Sequence, residues 1–161
     1  IGKNGLQQEL INQGFTLVEH QADYVFVGMN QAGDYHLYSQ ALVNLLNGAK
    51  LVGTNSDRIL LSETGPKIGN GSVVMMLEYA SGQTSMPLGK PQIAFMDEAL
   101  MYLGLKPSEV IMVGDNLETD IQCGINAQVE TILVLQGVHQ RDDVVRLQIY
   151  PNRIVNKITE I

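Results

Sequence analysis

The sequence predicts an α/β fold built from parallel βαβ units, and three observations predict it. Short apolar runs, such as Tyr24-Val25-Phe26-Val27 and Val110-Ile111-Met112-Val113, alternate with stretches whose apolar residues recur at helical spacing. Most of these runs stop at a glycine or a small polar turn, as expected where a strand gives way to a loop. The composition is core-rich: 45% of the 161 residues are hydrophobic and 17% charged, against about 25% charged in average globular chains.

In chain order, Ile1-Gly2 reads as the end of a strand running into a loop. Asn4 is placed to cap a helix carrying Leu6, Leu10 and Ile11, which Gly14 ends. Residues 15–18 are expected to form a short strand, and residues 24–27, closed by Gly28, a buried one. Leu37, Ala41, Leu42, Leu45 and Leu46 define a helix that Asn47-Gly48 terminates. Lys50-Leu51-Val52-Gly53 is the next strand and leads into Thr54-Asn55-Ser56-Asp57. Residues 58–71 carry Gly65, Pro66, Gly69 and Gly71 and read as loop.

Ser72 is expected to cap a helix with Val73, Val74 and Leu77 that ends near Ser81-Gly82, and residues 83–87 read as a connector. Pro91 suits the first position of a helix carrying Ile93, Met96, Leu100 and Leu103, closed by Gly104. A strand over 110–113, a helix with Ile121 and Ile125, a strand over 131–135 and a last short strand over 153–155 complete the pattern. The polar, glycine- and proline-containing connector suggests two parts, residues 1–84 and residues 85–161. The second has too few strands for an independent doubly wound sheet.

Charge and composition exclude several classes of function. The formal net charge is −7 and the pI about 4.8, with no Lys/Arg cluster, so neither nucleic acid nor an anionic membrane is an expected partner. No apolar run approaches the roughly 20 residues of a membrane span. Nor does the start of the chain look like a signal peptide, so a cytoplasmic location is expected. The single cysteine, Cys123, cannot form an internal disulfide and reads as a small buried thiol on a helix. His20, His36 and His139 are scattered, without metal-ligand spacing, and read as surface or partly buried imidazoles. Nucleophile elbow, P-loop and dinucleotide fingerprint are all absent from the sequence.

The chemistry-bearing stretch is Val110-Ile111-Met112-Val113-Gly114-Asp115-Asn116-Leu117-Glu118-Thr119-Asp120-Ile121. In parallel α/β sheets, ligands sit beyond the carboxyl ends of strands. Asp115 stands at such an end, where a carboxylate can hold Mg²⁺. Asp120 follows in the first turn of a helix, and capping alone is a competing explanation for both residues. Lys90, in Gly89-Lys90-Pro91, also falls where a strand gives way to a helix. There it is either a cation for a phosphate or a solvated lysine. Asn55 and Asp57 are available to bond substrate hydroxyls and Arg58 to contact an anion, unless Thr54-Asn55-Ser56-Asp57 is simply a turn.

Gly114-Asp115-Asn116-Leu117-Glu118-Thr119-Asp120 after an apolar strand, Gly89-Lys90-Pro91 upstream and Thr54-Asn55-Ser56-Asp57 together resemble the haloacid-dehalogenase-like (HAD) phosphatases. Within that superfamily the chain resembles the NagD-like, 4-nitrophenylphosphatase-type subfamily. Asp23 to Gly28, Ala49 to Asp57, Gly69 to Val74 and Glu130 to Val138 extend the likeness along essentially the whole chain. The resemblance implies a Rossmann-like core, of which residues 85–161 would be the C-terminal part, and a large α/β cap, residues 1–84. It implies a Mg²⁺-dependent phosphomonoester hydrolase that works through an aspartyl-phosphate, acting on a small phosphorylated metabolite of sugar phosphate or nucleotide type. Lys90 would pair with the nucleophile and the phosphate, Asp115 would ligate Mg²⁺, and Asp120 would support that site, directly or through water. Asn55, Asp57 and Arg58 on a cap loop, with Asn116 beside Asp115, would contact substrate.

The chain departs from the family pattern in containing no Asp-x-Asp-Gly motif, the family's source of nucleophile and general acid/base. That motif and the following Thr/Ser motif are expected upstream of Ile1. Residues 61–71 also depart from the usual cap sequence. The chain by itself is therefore expected to be inactive and, with a half-built sheet, to be poorly soluble or to form homo-oligomers. Two further readings remain open: a non-catalytic interaction module derived from such a phosphatase, and an α/β domain without phosphate chemistry in which Asp115 is only a cap.

Overall fold

In the computed structural model, which describes residues 1–161 with Pro87 through its backbone alone, the first apolar run forms β1 (Tyr24–Val27). Val25 and Val27 are buried, while Tyr24 and Phe26 lie on the other face of the strand. β1 pairs in parallel with β2 (Lys50–Gly53) in the register Tyr24↔Lys50 to Val27↔Gly53. Parallel neighbours require a crossover, and the intervening helix is α2 (Tyr35–Leu46), whose N-cap Asp34 accepts the Leu37 N–H. A further helix, α3 (Asn70–Ser81), ends at Gly82 with φ +72°, the left-handed C-cap that glycine adopts without strain.

Ala41 and Leu45 of α2, Val74 and Leu77 of α3, and Val25, Val27 and Leu51 of the strands make one apolar cluster. Asn44, buried in α2, ties the preceding loop to this core: its amide donates to Glu19 O and its Oδ1 accepts from Ala22 N–H. Ahead of β1, α1 (Asn4–Asn12) is an exposed helix with no buried residue. Ile1 lies along the outer edge of β1, donating to Phe26 O at 2.7 Å and accepting from Gly28 N–H at 2.9 Å.

The chain divides into two units, one of Ile1–Leu60 and Pro66–Leu88, the other of Leu61–Gly65 and Gly89–Ile161. In the second, β6 (Ile111–Gly114), β7 (Glu130–Val134) and β8 (Arg153–Val155) form a parallel sheet in that order. β7 is the central strand, and Thr131, Ile132, Leu133 and Val134 are all buried. Met96 and Leu100 of α4 (Ile93–Leu103) pack with Cys123, Ala127 and Val129. In a separate cluster, Leu117, Ile121 and Leu133 pack with Val144 of α6 (Arg141–Leu147). The helix between them, α5 (Gln122–Asn126), comes so near the sheet that a Cβ on Gly124 would run into Thr131.

Several expected elements change. Residues 15–18 form no strand; Phe15 instead stacks edge-on against Phe26, with ring centroids 5.4 Å apart. Residues 58–71 are not all loop, because β3 (Ile59–Leu60) and β4 (Lys67–Ile68) pair as an antiparallel hairpin too short for any period to show. The connector contains β5 (Met86–Pro87), which pairs with β2. Lys3 rather than Asn4 is the N-cap of α1, and Gly69 rather than Ser72 that of α3; the Ser72 hydroxyl donates to Arg58 O instead. Pro91 precedes α4, whose N-cap is Gln92. The helix α6 went unread, since Val144 is its one buried residue and a single position carries no periodicity.

Gly71 tests the packing of α3 against the β2 loop. A Cβ there would overlap the Ser56 backbone, although alanine is the better helix former. Gly71→Ala is expected to destabilise the protein by about 1–3 kcal/mol through overpacking. Gly5→Ala in α1, where a Cβ would meet nothing within 4 Å, should be neutral or slightly stabilising. Urea unfolding of the two variants checks both signs.

Candidate active site

β6 delivers Asp115 to the carboxyl end of the second unit's sheet, and the chain then turns tightly. Residues Leu117–Ile121 form a π-helical turn that runs into α5. Asn116 is its N-cap: its Oδ1 accepts the N–H groups of Glu118 at 3.0 Å and Thr119 at 3.3 Å. Asp120 folds back under the turn, where its Oδ2 accepts the N–H groups of Asp115 at 3.2 Å and Asn116 at 3.1 Å. Its other oxygen, Oδ1, receives the Lys90 ammonium at 2.6 Å. The Asp120 side chain is 9% exposed and that of Lys90 35%. The carboxylate is thus desolvated and fully engaged, whereas the ammonium keeps one side toward solvent. Gly114 makes this possible, because any Cβ at that position would occupy the space of the Asp120 carboxylate.

Asp115 is held by the loop after the neighbouring strand, β7. Its Oδ2 accepts the Val138 N–H at 2.8 Å, and its backbone carbonyl accepts the His139 N–H at 3.1 Å. A Cβ on Gly137 would collide with the same carboxylate. His139 is buried, and its Nδ1 accepts the Leu117 N–H at 3.0 Å. Because Nδ1 accepts, the neutral ring carries its proton on Nε2, which lies 3.7 Å from a Glu118 carboxylate oxygen. The expectation of a surface or partly buried imidazole fails for His139.

Cys123 is fully buried in α5, as expected. Burial pushes its thiol pKa up; the nearby Lys90 charge opposes this and that of Asp120 adds to it. The thiol is therefore protonated at neutral pH and is a poor nucleophile.

The structure brings Lys90, Asp115, Asn116 and Asp120 together. Asn55, Asp57 and Arg58 belong to the first unit, on the loop that follows β2. That loop is clamped to the start of α3: Gly71 N–H donates to Asp57 O and Gly69 N–H to Arg58 O, each at 2.9 Å. Both glycines are needed there, since a Cβ on either would strike the backbone of residues 56–58. Asn55 Oδ1 is buried without a hydrogen-bond partner, as is Oδ1 of Asn70, the first residue of α3.

Sequence reasoning missed Gly137, Val138 and His139. The signal that could have found them is topological. Adjacent parallel strands place their following loops side by side, so the loop after β7 has to lie next to Asp115. Among the described residues, no three His, Cys, Asp or Glu side chains converge as a metal cluster. The donor set is one carboxylate with an oxygen to offer, Asp115, beside a second that is already neutralised by Lys90.

Residues 87–161 match the HAD-hydrolase-like family model. The chain is 35% identical over 160 residues to the 5'-nucleotidase YutF of Bacillus subtilis, a match covering 99% of this chain and 62% of that protein. It is 34% identical to an acid sugar phosphatase of Staphylococcus saprophyticus, covering 100% of this chain and 62% of the relative. Among solved structures, NagD from E. coli superposes with a TM-score of 0.83 at 32% identity, covering 100% of this chain and 63% of that one. The chain thus spans a little over three-fifths of the length of these relatives.

The Asp120 hydrogen bonds carry a stability prediction. Asp120→Ala leaves the part-buried Asp115 N–H and the buried Asn116 N–H without an acceptor and is expected to cost about 1–3 kcal/mol. Asp120→Asn keeps an acceptor oxygen and should cost less. Equilibrium urea unfolding ranks the two, and an alanine variant as stable as the parent would show that the turn does not depend on this carboxylate.

Proposed function

We propose that this chain, a NagD-type relative within the HAD-like hydrolase superfamily, supplies part of the machinery of a phosphomonoester hydrolase. The observation that carries this reading is the grouping of Lys90, Asp115 and Asp120 at the carboxyl end of β6. A cation held by a buried carboxylate, beside a second carboxylate, is the arrangement that phosphate chemistry needs in an acidic protein. In this reading residues 1–84 are the cap and residues 85–161 the C-terminal part of the catalytic core. The nucleophilic aspartate comes from sequence outside these 161 residues.

Each residue then has a distinct role. Asp120 fixes the Lys90 ammonium, which offsets charge on the phosphoryl group and on the attacking carboxylate. Asp115, whose Oδ2 is held by the Val138 N–H, would hold Mg²⁺. Mg²⁺ commonly takes only one or two protein carboxylates and fills its shell with waters and phosphate oxygens, so the donor set fits. When bound, the metal would neutralise phosphoryl charge and orient the group for in-line displacement. Asn116 shapes the turn through its cap and stands nearest Asp115 as a substrate contact. Asn55, Asp57 and Arg58, on the loop after β2, would be further substrate contacts.

The substrate class is a small phosphorylated metabolite of sugar phosphate or nucleotide type, supported by the names of the acid sugar phosphatase and 5'-nucleotidase relatives. Among the described residues, no helix is long and apolar enough to cross a membrane. In the second unit β6 and β8 are edge strands among the described residues, which supports self-association of the isolated chain.

Two measurements test the reading. The 161-residue chain alone is expected to show no turnover of 4-nitrophenyl phosphate with Mg²⁺, since it has no Asp-x-Asp-Gly motif. Robust turnover by the chain alone would refute the division of the site proposed here. In the complete protein, Lys90→Met is expected to lower the rate by about 10²–10³-fold, the usual loss when a charge-stabilising group is removed. An unchanged rate would remove Lys90 from the mechanism. Sequencing immediately upstream of Ile1 shows directly whether the missing motif precedes it.

A further inference from the structure

The turn that carries Asp115 begins with a run of N–H groups that have no partner within the helix, as at any helix start. Nearly all are satisfied locally. Asp120 Oδ2 takes those of Asp115 and Asn116, and Asn116 Oδ1 takes those of Glu118 and Thr119. The exception is Leu117, whose N–H reaches across to the loop after β7 and donates to His139 Nδ1 at 3.0 Å. The same residue donates its own backbone N–H to Asp115 O at 3.1 Å, and its neighbour Val138 donates to Asp115 Oδ2 at 2.8 Å. His139 therefore ties the turn to the loop on both sides of Asn116, with a side-chain acceptor on one and a backbone donor on the other. It is 3% exposed, so water does not compete for either bond.

We infer that His139 is a positioning residue: through its Nδ1 acceptor it locks the Asp115–Leu117 backbone to the β7 loop and so aims the Asp115 carboxylate. It acts through Asp115, by its bonds to the Leu117 N–H and the Asp115 carbonyl. This rests on the reading of Asp115 as a metal ligand, but the clamp itself is a separate physical claim. Groups that orient a metal-binding side chain typically matter tenfold to a hundredfold in metal affinity or activity.

The chemistry suggests a discriminating pair of variants. In His139→Asn the amide oxygen sits on Cγ, where Nδ1 sits in histidine, and can still accept from Leu117. In His139→Gln the amide lies one bond further out, at the level of Nε2, and fills more of the imidazole volume without an acceptor at the right place. In the complete protein, amide hydrogen exchange at Leu117 is followed by NMR, and Mg²⁺ affinity by calorimetric titration. His139→Gln is expected to speed Leu117 exchange about tenfold or more and to weaken Mg²⁺ binding by about 10–100-fold. His139→Asn should stay close to the parent protein in both.

A residue that merely fills the core predicts the reverse order, with glutamine at least as good as asparagine; that result, or equal Leu117 protection in both variants, overturns the proposal. The metal reading fails separately, if the unsubstituted protein binds no Mg²⁺ or if Asp115→Asn binds it unchanged. Leu117 exchange in the two His139 variants still decides the clamp in that case.

Discussion

The second unit's site depends on where the two oxygens of the Asp120 carboxylate go. One binds the Lys90 ammonium and the other collects the first two N–H groups of the turn after β6. A buried carboxylate with neither partner would be strongly disfavoured, and the turn without it would leave two donors unsatisfied in a desolvated place. The arrangement also sets the sequence around it. Gly114 has no Cβ because the carboxylate lies where one would be. The turn is π-helical, with Ile121 N–H bonding to Asn116 O, which leaves room inside it for the folded-back side chain. Lys90 reaches Asp120 from a segment thirty residues earlier in the chain, so the ion pair also fixes the loop before α4 against the turn before α5.

Much of this fold was legible because parallel strands are buried on both faces and read as apolar runs. β1, β2, β6, β7 and β8 all announce themselves in that way, with ends displaced by at most a residue. The hairpin of β3 and β4 and the two-residue β5 did not, since a strand of that length has no period. Phe15 to Val18 looked like a strand because its residues are apolar and β-prone, but the segment has no ladder partner, and aromatic stacking on Phe26 satisfies it instead. Buried amides such as Asn44 were invisible as well: their worth lies in bonds to loops distant in sequence, here to Glu19 and Ala22.

The site divides along the same line. Asp115 and Lys90 were legible because each stands where a strand gives way to a turn, and Asp120 because it follows in the first turn of the helix after Asp115. What the sequence obscured is how Asp120 works. As a first-turn acid it looks like a partner for the helix dipole, yet its side chain points back and serves the preceding residues. The loop of Gly137, Val138 and His139 was obscured for a different reason. Its contacts with Asp115 arise from the adjacency of β6 and β7, which follows from strand order and from no local pattern.

Charge explains why both carboxylates are useful in a protein of net charge −7 that is proposed to bind a phosphate dianion. Lys90 cancels Asp120 and leaves the charge of Asp115 unbalanced. That remaining charge would repel a phosphate if it stood alone. A divalent cation on Asp115 would reverse the sign of the group, from one excess negative charge to one excess positive, at the strand end where a phosphate would arrive. On the proposed reading the metal and the ion pair would be complementary: Asp120 holds Lys90 with one oxygen while the other accepts two backbone N–H groups. The Val138 N–H holds one Asp115 oxygen, and the other would be left for the cation. Two aspartates five residues apart are thus held differently, Asp120 by Lys90 and two backbone N–H groups and Asp115 by the Val138 N–H, and on the proposed reading those partners would divide their tasks.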